Sequence, residues 1–164
     1  MLMLFRILAY LLLVLGFFLG LLTFASLAAS LASVAALLPT FICGATVIYI
    51  YTSFVFLQQG ILGKRALKAG MYDWIRVNGF VALFLASLFI FQSFYFRNNP
   101  ELNEQLQAQI GAMSEQMPSE QMPDLQKIIN WALNFMLISG AILASHVMLC
   151  FGYLKKYRQV FSKL

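Results

Sequence analysis

Apolar residues occupy four long runs, separated by polar stretches that hold most of the charge. The first run extends from Ile7 to about Leu38 without a charged residue. About 20 apolar residues cross a hydrocarbon core as a helix, and about 25 do so when tilted. The run therefore predicts a span over 7–30 that continues into an Ala/Ser-rich stretch ending before Pro39. A secretory signal is the competing reading, with Arg6, an apolar core and small residues from Ala25 to Ala29. Such cores hold about 7–15 residues, and this one is longer.

The second run predicts a span over 40–62. It is rich in β-branched and aromatic residues such as Val47, Ile48, Tyr49, Ile50 and Tyr51. These favour strands in water, but a lipid-facing backbone must satisfy its own hydrogen bonds, which requires a helix here. A polar loop over 63–76 carries Lys64, Arg65, Lys68 and Arg76 against Asp73. A third span covers 77–96 and a fourth covers 128–154, followed by a basic tail.

The stretch 97–127 differs in kind. It is acidic, with Glu101, Glu104, Glu115, Glu120 and Asp124. Asn99 before Pro100 has the form of a helix N-cap with proline at the first helical position. Leu102, Leu106, Ile110 and Met113 recur at helical spacing, which predicts an amphipathic helix at the membrane surface. The unit Ser114–Pro118 then repeats as Ser119–Pro123, and its two prolines predict a bent connector.

The fold expected is an all-α integral membrane protein. A four-helix transmembrane bundle forms a single domain, with an amphipathic extracytoplasmic helix between spans 3 and 4. Composition agrees: 62% of the 164 residues are hydrophobic and 10% charged, against about 25% charged in soluble domains. Nine of the eleven Lys/Arg lie at Arg6, in the 63–76 loop and in the tail, and only Arg97 and Lys127 lie on the other side. Cytoplasmic loops carry the excess of Lys/Arg, so both termini are expected in the cytoplasm of a cell (inner) membrane protein. Tyr72, Trp74, Tyr153 and Tyr157 then mark the inner interface, and Tyr95 and Trp131 the outer one. The net charge of +5 thus reads as membrane topology, and no nucleic-acid partner is expected.

Helices in lipid associate through close contact of small residues. Gly16 and Gly20 form a GxxxG pair on span 1, extended by Ala9, Thr23 and Ser30. On span 3, a rotation of about 100° per residue puts Gly79, Ala82, Ala86 and Ser93 on one side. Phe80, Phe84, Phe91 and Tyr95 then lie opposite, facing lipid or a partner subunit. On span 4, Gly140 and Ala144 are the small pair.

Candidate chemistry is sparse. The four spans hold no Asp, Glu, Lys or Arg, and such residues mark ion and proton paths. The only histidine, His146, shares a stripe with Ser139, Leu143 and Cys150. It could ligate haem or a metal, but one His and one Cys fall short of the three or four ligands a metal site uses. The plainer reading is a neutral His bonded to a neighbouring helix or a partner subunit. Gln92, Asn130 and Asn134 read as inter-helix hydrogen bonds near the outer face. Met113, Met117 and Met122 are soft donors of the kind that suit Cu(I), but irregular spacing without His or Cys makes apolar contact the simpler expectation. Cys43 falls near the outer end of one span and Cys150 near the inner end of another, much of a hydrocarbon core of roughly 30 Å apart, so no disulfide is expected. Nucleophile, zinc and phosphate-loop motifs are absent. No cofactor, no metal and no enzymatic activity are expected.

The function expected is a non-catalytic subunit or accessory protein of a larger membrane complex, in contact with lipids and partner subunits. A small transporter or channel component acting as an oligomer is the alternative, and a redox protein using His146 stands behind it.

Overall fold

Four helices in the computed structural model are long and apolar enough to cross a membrane: Leu2–Leu27, Ala35–Leu62, Ala69–Asn98 and Lys127–Lys156. The structure describes residues 2–102, 104, 105, 108 and 125–162. Full elements are α1 (Leu2–Ala32), α2 (Val34–Val55) with a π-helical continuation (Phe56–Leu62), β1 (Leu67–Lys68), α3 (Ala69–Asn98) and α4 (Leu125–Lys156). A 3-10 turn (Arg158–Val160) and β2 (Phe161–Ser162) follow. The chain resolves into two compact units, Met1–Ala86 with Ile142–Leu164, and Ser87–Ala141.

Three boundaries differ from those expected. The first break falls at Ser33, an extended residue (φ −146°, ψ 121°), and Pro39 lies inside α2. Pro39 is the sixth residue of α2, past the first turn, so it leaves the Ala35 carbonyl without its helical N–H partner. The Thr40 hydroxyl ties the same turn by donating to the Ala36 carbonyl at 2.8 Å. Next, α3 starts at Ala69 instead of Val77, so most of the expected polar loop is helix. Charged residues do not stop a helix; they only mark the part that leaves an apolar surrounding. Finally, the basic tail is not a plain extension. β2 pairs in parallel with β1, Leu67 opposite Phe161 and Lys68 opposite Ser162.

In the first unit α1 and α2 run antiparallel. Gly16 sits against Ile50, Gly20 against Val47 and Gly44 against Thr23. A Cβ on Gly16 would lie 2.9 Å from Ile50 Cγ2, a distance that only glycine avoids. Thr40 Oγ1 also lies 3.2 Å from Ser26 Oγ across the pair. At the other end, Gln58 Nε2 donates to the Tyr10 hydroxyl at 2.7 Å. The π-helical segment turns Phe56, Leu57, Gly60 and Ile61 inward together. Phe161 stacks on Phe56 (5.3 Å) and meets Tyr72 edge-on (5.4 Å), anchoring the tail. The core gathers Phe5, Leu12, Tyr49, Ile50, Ile75, Ala82, Leu143 and Val147.

In the second unit, the Ser93 hydroxyl donates to the Leu133 carbonyl at 2.9 Å, and Arg97 donates to Asn134 Oδ1. Asn99 Oδ1 accepts from the Leu102 amide at 3.5 Å, a long cap at a helix start. The remainder of the expected surface helix (Leu106, Ile110, Met113), the repeated unit and the three-methionine cluster lie outside the described residues.

Candidate functional site

His146 is the centre of the most polar cluster in the first unit's core. It is 1% exposed, and Tyr49 and Phe5 are fully buried. The Tyr49 hydroxyl and His146 Nδ1 are hydrogen-bonded at 2.8 Å between α2 and α4. The Phe5 ring, from the first turn of α1, stacks on the imidazole at 4.8 Å with an 18° interplanar angle. The Phe5 ring also meets the Tyr153 ring, tilted by 36° with centroids 5.0 Å apart. Ser53 and Cys150 are side-chain neighbours of the Tyr49 hydroxyl. Three helices thus converge on one imidazole.

Each position follows from local structure. His146, Leu143, Val147 and Cys150 lie on one face of α4 and are all buried. Tyr49 sits one residue before Ile50, the side chain that fills the notch at Gly16. On α3, Gly79 makes room for it: the nearest Tyr49 ring carbon lies 3.3 Å from where a Gly79 Cβ would be. The Tyr49 ring therefore lies against bare helix backbone on one side and reaches the histidine with its hydroxyl.

The chemistry open to this cluster is narrow. His146 Nε2 is buried without a hydrogen-bond partner. Whichever ring nitrogen carries the proton, only Nδ1 is satisfied. A metal or haem iron would have to reach Nε2 through a shell in which Phe5 covers one ring face. No group of three His, Cys, Asp or Glu able to hold a metal occurs among the described residues. Cys43 and Cys150 are both free.

A hydrogen bond between two buried groups is worth about 1 kcal/mol net, and inter-helix bonds in lipid average about 0.6. Tyr49→Phe is therefore expected to lower stability by about 1 kcal/mol, because it strips the histidine of its one partner. In a double-mutant cycle with His146→Leu, the double variant should be about 1 kcal/mol more stable than the sum of the single changes. Unfolding by graded SDS in detergent micelles checks this, and strict additivity would contradict the coupling.

The other expected site residues are placed as follows. Gly16 is buried and Gly20 half-buried against α2. Gly79, Ala82, Ala86 and Ser93 are all buried on α3. Gly140 is buried and Ala144 half-buried on α4. Phe80, Phe84, Phe91 and Tyr95 are exposed, each by half its surface or more. Asn134 meets Arg97, while Gln92 and Asn130 are exposed. Sequence reasoning missed Tyr49 and Phe5 as partners of His146. Tyr49 stands in an uninterrupted apolar run and Phe5 beside Arg6, ahead of the first run, and at neither position does spacing show which side chain faces the histidine.

Comparison with protein-family models, with curated proteins and with solved structures returned no match to this chain.

Proposed function

We propose that the chain is a four-span integral membrane protein that serves as a non-catalytic subunit or accessory protein of a larger membrane assembly. The helices insert as a bundle with both termini and the short basic connection on the cytoplasmic side, following the Lys/Arg asymmetry.

Insertion is supported by what the helices leave uncovered. Only 22% of the most apolar stretch of α1 is buried within the protein. Phe17, Phe24, Leu38 and Phe41 are each exposed by 65% or more. Soluble monomers seldom show contiguous apolar patches beyond a few hundred Å², and a helix apolar on all sides belongs in a core or a membrane.

The observation that carries the subunit reading is the division of α3 into two faces. Its small residues are buried, whereas Phe80 and Phe84 in the first unit and Phe91 and Tyr95 in the second point outward. Phe91 and Tyr95 stack with centroids 5.8 Å apart and planes 13° apart, giving a flat aromatic ledge suited to a partner helix. The enclosed His146 supports the non-catalytic part, since the stacked imidazole links two helices through Nδ1 and its other nitrogen, although unpaired, is buried.

Site-specific photo-crosslinking in native membranes tests this. A benzoylphenylalanine at position 84 should give a discrete adduct with a second membrane protein, and the same probe at Val14, 58% exposed on α1, should give lipid adducts only. A chain that is monodisperse and monomeric in mild detergent, with no discrete protein adduct from positions 80, 84, 91 or 95, would overturn the reading.

A further inference from the structure

We propose that the groove between α3 and α4 at their basic ends binds the phosphate headgroup of an anionic phospholipid, with Arg76 and Lys155 holding the phosphate. The groove encloses about 260 Å³ and is lined by Tyr72, Arg76, Phe80, Phe151, Leu154 and Lys155. By volume it has room for about nine waters, enough for a phosphate and the glycerol carbons beside it.

Its design is visible in the spacing. Arg76 stands four residues before Phe80 on α3, and Lys155 four residues after Phe151 on α4. Residues four apart share a helix face. Phe80 and Phe151 touch, with centroids 5.1 Å apart. The two helices run in opposite directions through the groove, so both cations fall at the same end and both rings at the other. That is the order of groups in a phospholipid, an anionic head followed by an acyl chain.

The charges are available. Arg76 and Lys155 are exposed, and neither has an ion-pair partner among the described residues. The nearest acid in sequence, Asp73, lines a different groove with Trp74, Val77 and Asn78. A third cation stands at the rim, where the Arg158 guanidinium lies 6.0 Å from the Tyr72 ring centroid. Basic pockets between helices at the cytoplasmic leaflet are a recurrent means of holding anionic headgroups.

This inference rests on the membrane insertion proposed above, and the experiment separates the two. The full chain is reconstituted in phosphatidylcholine vesicles and floated; absence from the floating fraction would defeat insertion itself. The chain is then placed in phosphatidylcholine nanodiscs containing phosphatidylglycerol, and retained lipid is read by native mass spectrometry. The wild type should retain phosphatidylglycerol over phosphatidylcholine. Arg76→Gln with Lys155→Gln should weaken that retention about 30-fold, which is roughly 2 kcal/mol at 1.4 kcal/mol per tenfold. Lys64→Gln with Arg65→Gln removes the same charge outside the groove and should leave retention within about threefold of wild type. Arg76→Lys with Lys155→Arg keeps the charge and should keep binding. Equal loss in both Gln pairs, no preference by the wild type, or full displacement by inorganic phosphate would each overturn the site.

Discussion

Gly79→Leu is expected to destabilise the first unit by about 3 kcal/mol, at the upper end of the cost of overpacking a filled core. A Cβ at this position would lie 2.7 Å from Phe151 Cε1, 3.0 Å from its Cζ and 3.3 Å from Tyr49 Cε2. Alanine alone would push the half-buried Phe151 aside. Leucine adds three more carbons in a direction that Tyr49 blocks, and Tyr49 is fully buried and hydrogen-bonded to His146. The intrinsic helix preference works the other way, since glycine is about 1 kcal/mol worse than alanine in a helix interior. Gly152 supplies the control. It lies on α4 with nothing within 4 Å of a built Cβ, so Gly152→Leu should leave stability unchanged or raise it by about 0.5–1 kcal/mol. Thermal unfolding in detergent, followed by loss of the monodisperse species, reads both. Equal melting temperatures for the two variants would mean that α3 does not pack at Gly79.

Phe5→Ala is expected to cost about 3 kcal/mol, the low end of the range for removing a buried aromatic ring. The low end follows from the insertion proposed above, under which burial as such gains little and the loss is mainly of contacts. Phe5 is fully buried, stacked on His146 and tilted against Tyr153. Removing the ring opens a cavity beside an imidazole nitrogen that has no partner. A second readout follows from composition: His146 is the only histidine. Diethylpyrocarbonate should modify the wild type slowly and the Phe5→Ala variant at least about tenfold faster, because the helices no longer have to open locally before the reagent reaches the imidazole. Phe5→Leu, which fills most of the volume, should recover more than half of the lost stability. Unchanged histidine reactivity in Phe5→Ala would show that the ring does not guard the site.

The coupling of Tyr49 with His146 and the basic groove make smaller or more local demands, but both rest on the same construction within the first unit. Small residues on α1 and α3 let helix backbones approach. The space they leave is filled by a few large side chains from α2 and α4. Ile50 enters at Gly16, and Tyr49 and Phe151 meet at Gly79. One notch therefore supports both the histidine cluster and the ring that floors the groove, so damage at Gly79 should be felt at both.

Much of the architecture can be read from the chain itself. Four apolar runs of about 20 residues or more appear as four long helices, because backbone polar groups among apolar side chains are satisfied within a helix. The three-to-four residue recurrence of Gly79, Ala82, Ala86 and Ser93 needs no partner to be visible, and all four are buried. The Asn99–Pro100 helix start is a local matter of capping and is legible for that reason.

What the tertiary structure decided depends on meetings between distant segments. The break at Ser33 instead of Pro39 depends on where α2 can lie antiparallel to α1, with Ile50 at Gly16. The pairing of Leu67–Lys68 with Phe161–Ser162 joins two basic stretches that are far apart in sequence and carry no strand pattern. Tyr49, one of several tyrosines, meets His146 with its ring beside the bare backbone at Gly79, a placement made between three helices. Periodicity tells which face of a helix is small or large. It cannot tell which neighbour that face meets, because the positions of an apolar run are alike in polarity, and only close packing between helices distinguishes one from another.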